Sequence, residues 1–339
     1  MSDKIRVGII GAGRIGRIHA ANLASRIPGA EAAAISDVRL ESAQGAAKES
    51  GIPRAFAGHR EILEDKSIAA VAICSPTGTH AALIEEAAAA GKHIFCEKPV
   101  DLDLGVVRRA IAAADSAEVK LQIGFNRRYD PDFRRVRELV AAGKVGKPHI
   151  VRITSRDPEP PPASYSEVSG GIFLDMTIHD FDMARFLTGE EIVSVFAEGA
   201  ALIDPEIAAL GDVDTAALTL RYASGALCVI DNSRRAVYGY DQRVEVFGDK
   251  GRAAAGNKAP TDAELWDAEG RERGKIHHFF LERYKEAYVA EMEDFIAAVR
   301  EDRAPRVTGD DGLRALLLGL AAKRSLQEAR PVRVEEAAS

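Results

Sequence analysis

Cysteine is scarce in this sequence, with three residues in a chain of 339. Cys74, Cys96 and Cys228 lie far apart, and none of them forms a C-x-x-C pair. Each belongs to an apolar run that predicts a strand. The pattern therefore favours buried cysteines that act as small hydrophobic side chains, with metal ligation as the weaker alternative.

Basic residues are not in excess either. The 45 lysines and arginines are outnumbered by 52 aspartates and glutamates, which gives a formal net charge of −7. A broad surface for nucleic acid needs a basic stripe, so we expect no nucleic-acid partner. A local basic pocket is still allowed.

Long apolar runs are absent as well. No stretch reaches the roughly 18 consecutive apolar residues of a membrane-spanning helix. Ile5–Ile10 is too short for the hydrophobic part of a signal peptide, and no small-residue cleavage site follows it. We therefore expect a cytoplasmic protein without a membrane partner.

What is present is an ordinary globular composition, 46% hydrophobic and 29% charged, whose length suggests two domains at roughly 150 residues each. Up to Gly124, short β-rich runs alternate with Ala-rich helical patterns. This alternation predicts βαβ units and a doubly wound parallel sheet over residues 1–124. The predicted strands are Ile5–Ile10, Glu31–Ser36, Ala69–Cys74, Lys92–Cys96 and Val119–Gly124, and the predicted helices are Arg14–Arg26, Leu40–Glu49, His80–Ala90 and Leu104–Ala114.

Residues 125–339 show a different pattern, in which strand-like runs follow one another without helices. They predict a second, α/β domain with a mostly antiparallel sheet, and its last helices are candidates to pack back on the first domain. Because few helices remain to cover this sheet, we expect an exposed face that packs against another copy of the chain. The predicted strands are Ile150–Ser155, Val193–Ala201, Thr215–Tyr222, Gly225–Ser233, Arg243–Phe247 and Val332–Val334, and the predicted helices are Phe173–Leu187, Glu282–Arg300 and Asp311–Glu328.

A glycine motif, Gly11-Ala12-Gly13-Arg14-Ile15-Gly16, follows the first predicted strand and opens a helix. Its first glycine allows a tight turn, its second lets the backbone approach a pyrophosphate, and its third lets the helix pack on the strand. Asp37 ends the second strand, where a carboxylate would accept hydrogen bonds from an adenosine ribose. The motif predicts a dinucleotide site that prefers NAD, although Arg39 could soften the repulsion of NADP. The alternative is a plain strand–helix turn with a surface aspartate.

A second segment with candidate chemistry is Glu97-Lys98-Pro99, which follows the strand ending at Cys96. Residues just after parallel strands line the crevice where ligands bind in such sheets. There Lys98 can hydrogen-bond a substrate hydroxyl and stabilise the alkoxide that develops as hydride leaves, while Glu97 orients it. A surface Lys–Glu pair is the alternative.

A third segment contains Asp175 and His179, which are four residues apart and therefore expected on one face of a helix. A carboxylate beside an imidazole raises its basicity and orients it as a general base for a hydroxyl proton. One alternative is an ion pair on the helix surface. Another is a metal site completed by Asp182, although neither cysteine nor an H-E-x-x-H pattern supports it.

Together, the glycine motif, Glu97-Lys98-Pro99 and the Gly-Gly-x-Phe-x-Asp-x-x-x-His-Asp segment that begins at Gly170 resemble the glucose–fructose oxidoreductase/inositol dehydrogenase/rhizopine catabolism family. The resemblance covers essentially the whole chain. It implies an N-terminal Rossmann domain, a C-terminal α/β domain with a large open sheet, and a homotetramer built as a dimer of dimers. It also implies that Lys98, Asp175 and His179 are the catalytic residues. We expect no metal, because the hydride acceptor carries the hard chemistry.

Three segments are similar to inositol 2-dehydrogenases within that family, namely Gly124–Asp130, Thr154–Pro158 and Tyr238–Asp241. This similarity implies NAD-dependent oxidation of one ring hydroxyl of myo-inositol, scyllo-inositol or a close isomer to the inosose. The substrate residues that it implies are Lys98, Arg127, Asp157, Asp175, His179, Tyr240 and Tyr288, with Tyr284 as the alternative to Tyr288. The cofactor residues are Gly11, Gly13, Arg14, Ile15, Gly16, Asp37, Val38, Arg39, Ser75, Thr77, His80, Glu97, Lys98 and Arg127, with a packing role as the alternative for His80.

Two other functions are compatible with these residues. A dehydrogenase of a pyranose sugar would meet ring hydroxyls similar to those of an inositol. A non-catalytic NAD(H) sensor would keep the first domain but would be expected to lose Lys98 or His179, and both are present.

Overall fold

The computed structural model describes residues 4–338, without the side chains at positions 163, 164 and 167. These residues form two compact units. The first unit comprises the residues up to Tyr129 together with Glu286–Leu316, and the second comprises Asp130–Lys285 together with the residues from Leu317 onward. The chain therefore leaves the first unit after Tyr129, returns to it at Glu286, and leaves it again after Leu316.

The first unit contains a six-stranded parallel sheet. Its strands are β1 (Ile5–Ile10), β2 (Ala30–Ser36), β3 (Ala55–Phe56), β4 (Ala70–Ile73), β5 (His93–Glu97) and β6 (Leu121–Gly124), and its helices in this stretch are α1 (Arg14–Ser25), α2 (Leu40–Ser50), α3 (Arg60–Glu64), α4 (His80–Ala89) and α5 (Leu104–Ser116). The strand order is β3-β2-β1-β4-β5-β6. The central strands are buried along nearly their whole length, as expected for a parallel sheet covered on both faces. The predicted doubly wound parallel sheet is confirmed, and only β3 and α3, which are too short to show a periodic pattern, are additional.

The second unit contains a seven-stranded mixed sheet and a separate hairpin. The strands are β7 (Pro148–Arg156), β8 (Ile192–Ala200), β9 (Thr215–Tyr222), β10 (Leu227–Ser233), β11 (Asp241–Gly248), β12 (Gly251–Ala255), β13 (Glu264–Asp267), β14 (Gly270–Arg273) and β15 (Val332–Arg333). The large sheet has the order β12-β11-β7-β10-β9-β8-β15, and β13 pairs with β14. Only the pair of β7 with β10 is parallel. The predicted, mostly antiparallel sheet is therefore confirmed.

One face of this sheet is covered and the other is open. Along β9 and β10, buried residues alternate with more exposed ones, which is the period-2 pattern of a sheet with a single core face. The helices of the unit are α6 (Pro131–Ala141), α7 (Ala163–Ser169), α8 (Ile172–Asp175), α9 (Ile178–Thr188), α10 (Pro205–Ala209) and α11 (Phe280–Arg283). Of these, α6 and α9 pack on each other, α6 also contacts β11 and β12, and α9 contacts β7.

Helix α6 begins at a clear capping signal that the predicted pattern does not include. The Asp130 carboxylate accepts hydrogen bonds from the amides of Asp132 and Phe133, both at 3.1 Å. Pro131 occupies the first helical position, where its missing N–H costs nothing. The Arg283 guanidinium pairs with the same carboxylate, so Asp130 joins the start of α6 to the end of α11.

Two long helices precede β15, namely α12 (Lys285–Arg300) and α13 (Gly309–Glu328). Met292 and Phe295 of α12 are fully buried in the core of the first unit, together with Ile9, Leu23 and Phe95. Burial of each of these large side chains contributes about 2 kcal/mol, so α12 is an integral part of this unit. No helix in residues 4–338 is both long and apolar enough to cross a membrane.

Candidate active site

The glycine loop between β1 and α1 is shaped by backbone contacts. Gly11 has φ +104°, and a Cβ there would lie 2.6 Å from the Cys74 carbonyl oxygen. A Cβ on Gly16 would lie 1.9 Å from the Gly11 carbonyl oxygen, whereas one on Gly13 would meet nothing within 4 Å. Gly11 and Gly16 are thus required by packing, while Gly13 leaves the backbone open. This open cradle at the start of α1, next to Arg14 and Ile15, fits a dinucleotide pyrophosphate.

Asp37 lies beside this loop. Its Oδ2 accepts a hydrogen bond from the Ala12 amide at 2.9 Å, and its Oδ1 accepts one from the Arg39 amide at 3.0 Å. The carboxylate is therefore fixed at the glycine loop, where the ribose of a dinucleotide is expected. The side chains of Val38 and Arg39 are exposed next to it.

His80 joins the loops that follow β4 and β5. Its side chain is 2% exposed, and its Nδ1 and Nε2 each lie 2.7 Å from a carbonyl oxygen, that of Pro99 and that of Ser75 respectively. Both the packing and the cofactor interpretations of His80 agree with this position. Thr77 is half-buried in the same loop, one turn before His80.

Glu97 ends β5, and Lys98 follows it at the carboxyl edge of the parallel sheet. Both side chains are half-buried. Arg127 lies in a single turn after β6 and is buried. The structure thus brings the predicted residues of the first unit to the ends of β1, β2, β4, β5 and β6, which is the edge where parallel sheets bind ligands.

In the second unit, Asp175 belongs to a network of charged side chains. Its Oδ2 accepts a hydrogen bond from Arg234 Nη2 at 3.0 Å, and its Oδ1 accepts one from the Tyr165 hydroxyl at 3.0 Å. Arg234 Nη1 also donates to Asp157 Oδ2 at 3.3 Å. Arg234 is 4% exposed, so one buried cation connects two of the predicted substrate residues.

The electrostatics of this network follow from its burial. Burial lowers the pKa of Arg234, but the charges of Asp175 and Asp157 more than offset this, and the pKa is raised overall. Partial burial and the Asp175 charge together raise the pKa of Tyr165. Arg234 therefore stays charged and Tyr165 stays a neutral hydrogen-bond donor at neutral pH.

The predicted single helix over Phe173–Leu187 is wrong. The structure contains two helices, and Asp175 is the last residue of α8, whereas His179 lies in the first turn of α9. The argument from a shared helix face therefore does not apply to this pair. His179 is half-buried.

The break between these helices has two causes. The Thr177 amide donates to the Ile172 carbonyl at 2.9 Å, a bond that spans five residues instead of the four of an α-helix. The Thr177 hydroxyl donates to Asn232 Oδ1 on β10 at 2.6 Å. Asp180, in the first turn of α9, accepts from Ser155 of β7 at 2.6 Å and from Asn232 at 2.8 Å. Buried polar contacts to the sheet thus fix where α9 begins.

Two of the three candidate tyrosines lie together. Tyr240 and Tyr284 of the second unit are buried, and their ring centroids are 5.9 Å apart in an edge-to-face arrangement. The Tyr284 hydroxyl donates to Gln242 Oε1 at 3.4 Å. Tyr288 belongs to the first unit, where its ring centroid lies 5.8 Å from that of His19.

Arg234 and Tyr165 contact predicted site residues, and neither is predicted as a site residue from the sequence. Arg234 closes the polar run Asp231-Asn232-Ser233-Arg234 at the end of β10. A charged side chain directly after an apolar strand is a signal that could have identified it. Tyr165 follows the proline-rich loop and carries no comparable signal.

Comparison with known proteins agrees with this geometry. Residues 5–125 match the oxidoreductase family with an NAD-binding Rossmann fold, and residues 133–254 match the GFO/IDH/MocA C-terminal domain. The chain belongs to this oxidoreductase family. Membership confirms the resemblance found in the sequence and assigns NAD as the cofactor of the first unit.

Similar members of the family span the same length. The chain is 53% identical to the myo-inositol 2-dehydrogenase of Thermotoga maritima, over 98% of this chain and 99% of that protein. It is 48% identical to the inositol 2-dehydrogenase of Rhizobium meliloti, over 97% and 99% of the two chains. The crystal structure of scyllo-inositol dehydrogenase from Lactobacillus casei, with bound NAD(H) and scyllo-inositol, superimposes with a TM-score of 0.91 at 32% identity, covering 98% of this chain and 100% of that one.

Proposed function

We propose that this protein oxidises one ring hydroxyl of myo-inositol, scyllo-inositol or a close isomer to the corresponding inosose, with NAD. The observation that supports this most is the whole-length similarity to dehydrogenases that are named for inositol. The Asp157–Arg234–Asp175 network adds a chemical reason. A cyclic polyol presents hydroxyls all around its ring, and a pocket for it needs closely spaced donors and acceptors.

In the proposed reaction, three side chains act on one substrate hydroxyl. His179 takes the proton of that hydroxyl, and Lys98 hydrogen-bonds the same oxygen as negative charge develops on it. Asp175 orients His179. The ring carbon gives up a hydride and the oxygen gives up a proton, so that the alcohol becomes a ketone. NAD, when bound, supplies the hydride acceptor.

The remaining candidates are proposed to bind rather than to react. Arg127, Asp157, Tyr240 and Tyr288 are proposed to contact the substrate. Arg234 is added to them as the group that holds both Asp157 and Asp175 in place. The predicted cofactor residues keep their proposed roles, with the glycine loop at the pyrophosphate and Asp37 at the ribose.

The test is NADH formation, followed by absorbance, over a panel of inositol isomers and pyranoses. We expect turnover with one or more inositols at lower substrate concentration than with any pyranose. A clear preference for a pyranose would assign the protein to the sugar dehydrogenases. NAD binding without turnover on any member of the panel would contradict a role as a dehydrogenase of cyclic polyols.

We also propose that the open face of the second unit's sheet packs against a second copy of the chain, within a homotetramer. This face carries the exposed side chains of Val229 and Phe247 beside the ion pairs Arg152–Glu245 and Arg156–Asp231. Apolar side chains flanked by paired charges are typical of an interface between subunits. A sizing column at micromolar concentration should give the tetramer, and V229D should give a smaller species. Elution of the unaltered protein as a monomer would contradict the proposal.

A further inference from the structure

Three ionisable side chains that the proposed mechanism does not use for chemistry converge in the first unit. His19 of α1, Glu97 at the end of β5 and Glu291 of α12 have ligand atoms within 4.8 Å of one another. The His19 Nε2–H donates to Glu97 Oε1 at 2.9 Å, and Glu291 Oε1 lies 3.9 Å from the same nitrogen. We call these three residues the buried acid cluster.

Glu291 is the unusual member of the buried acid cluster. Its side chain is fully buried, and neither of its carboxyl oxygens has a hydrogen-bond partner among the described residues. Its backbone is held firmly, because Gln122 Nε2 donates to the Glu291 carbonyl at 2.7 Å. Met292 and Tyr288, which flank it in α12, are buried as well.

The groups around Glu291 disfavour a negative charge on its carboxyl group in addition to the charge of Glu97. Burial raises the pKa of Glu291, and the neighbouring charge of Glu97 raises it further. Burial also raises the pKa of the Cys74 and Cys96 thiols and of the Tyr129 hydroxyl, so these groups stay neutral. The Phe95 and Tyr288 rings pack edge-on against His19, with centroid distances of 4.9 and 5.8 Å. Asp294, also on α12, is a carboxylate that accepts from the Tyr129 hydroxyl and pairs with Arg303.

Glu97 is held from the opposite side by the backbone of β6. A Cβ at Gly124 would lie 2.9 Å from Glu97 Oε2, so the carboxyl packs directly on this glycine. His19 and Gly124 thus contact different oxygens of the Glu97 carboxyl group. The next residue in the chain is Lys98.

We propose that Glu291 is a positioning residue: as a neutral carboxylic acid it completes the buried acid cluster, which fixes Glu97 and thereby the Lys98 side chain for its role at the substrate hydroxyl. The proposal rests on the proposed function, because that function assigns the hydroxyl to Lys98. Two carboxylates at this distance repel each other strongly in a buried site, and a proton on Glu291 leaves a single charge on Glu97, where His19 donates to it.

Infrared spectroscopy tests the protonated state without any substrate. At pH 7 the unaltered protein should show the C=O stretching band of a buried protonated carboxyl group, and the band should disappear in E291Q. E293Q is the matched control, because Glu293 lies two residues further along α12 and is exposed, and it should leave the band unchanged. Absence of the band in the unaltered protein, or its survival in E291Q, would overturn the proposal. So would a stoichiometric divalent cation in the purified protein that E291Q no longer retains.

Kinetics test the positioning role. E291Q, which keeps a neutral hydrogen-bonding group, should retain kcat within about threefold, whereas E291L should lower kcat about tenfold with KM nearly unchanged. Because leucine replaces a buried polar group that lacks a partner, E291L should keep or raise Tm. A merely structural role would move kcat and Tm together. Wild-type kcat and pH profile in E291L, or equal losses in E291Q and E291L, would overturn the proposal.

The two measurements separate the possible failures. If the unaltered protein turns over no polyol or sugar, the proposed function fails, and the infrared band still decides whether Glu291 is protonated. If E291L does not fold, E291M replaces it with a side chain of similar length and no charge.

Discussion

The glycine loop of the first unit and the Asp157–Arg234–Asp175 network of the second are built by opposite means. The loop depends on backbone, since a Cβ on Gly16 would lie 1.9 Å from the Gly11 carbonyl oxygen. The network depends on charge, since one buried guanidinium holds carboxylates 77 and 59 residues away in the chain. The glycines of the first site lie within six residues of one another, whereas the second site exists only after the sheet has formed. Loss of a glycine should therefore affect cofactor binding, whereas loss of a charge should affect turnover.

The largest effect is expected from G16A, which tests whether backbone packing shapes the glycine loop. The new Cβ forces the loop away from Gly11, and NAD affinity should fall about a hundredfold or more, equivalent to about 3 kcal/mol. Titration calorimetry with NAD measures it. G13A is the control for folding, because its Cβ meets nothing within 4 Å and Tm should stay unchanged. Normal NAD binding by G16A would show that the backbone does not define the cradle.

The next largest effect is expected from H179A, which removes the proposed general base of the second unit. Without the proposed base, kcat should fall about a hundredfold, while the Kd for NAD stays the same. As a control, H149A removes an exposed histidine of β7 and should leave both kcat and the Kd for NAD unchanged. Near-normal kcat in H179A would remove this residue from the mechanism.

R234M tests the charge network itself. Asp157 and Asp175 would lose their shared cation, so the free energy of unfolding should fall by about 3–5 kcal/mol and kcat by about tenfold or more. Urea unfolding and steady-state kinetics measure the two. R135M, at an exposed arginine of α6, should change neither. If R234M matched R135M in both measurements, the network would have no role in stability or turnover.

The smallest effect is expected from D37S, which removes the carboxylate beside the glycine loop. Removal of the carboxylate removes its repulsion of the NADP phosphate, and the ratio of NAD to NADP efficiency should drop about tenfold. The double variant D37S/R39A should use NADP less efficiently than D37S, because Arg39 is exposed beside the ribose position. Unchanged selectivity in D37S would argue against Asp37 as the ribose acceptor.

The same contrast explains how much could be predicted from the sequence. The parallel sheet and the glycine loop follow from local pattern, and both the predicted sheet and the NAD-binding domain are confirmed. The break between α8 and α9 could not be predicted, because it depends on a hydrogen bond from Thr177 to Asn232, which is 55 residues away. Arg234 carries a local signal, a charge directly after a strand, but its carboxylate partners 77 and 59 residues away could not be predicted. Glu291 looks like an ordinary polar residue of a helix until the fold buries it beside Glu97.

The proposed function depends on direct hydride transfer from a cyclic polyol to NAD. The most direct measurement is mass spectrometry of the NADH formed when the protein oxidises inositol that carries deuterium on its ring carbons. We expect one deuterium in each NADH and a product lighter than the substrate by one deuterium and one proton. NADH without deuterium, or no NADH with any inositol isomer, would contradict it.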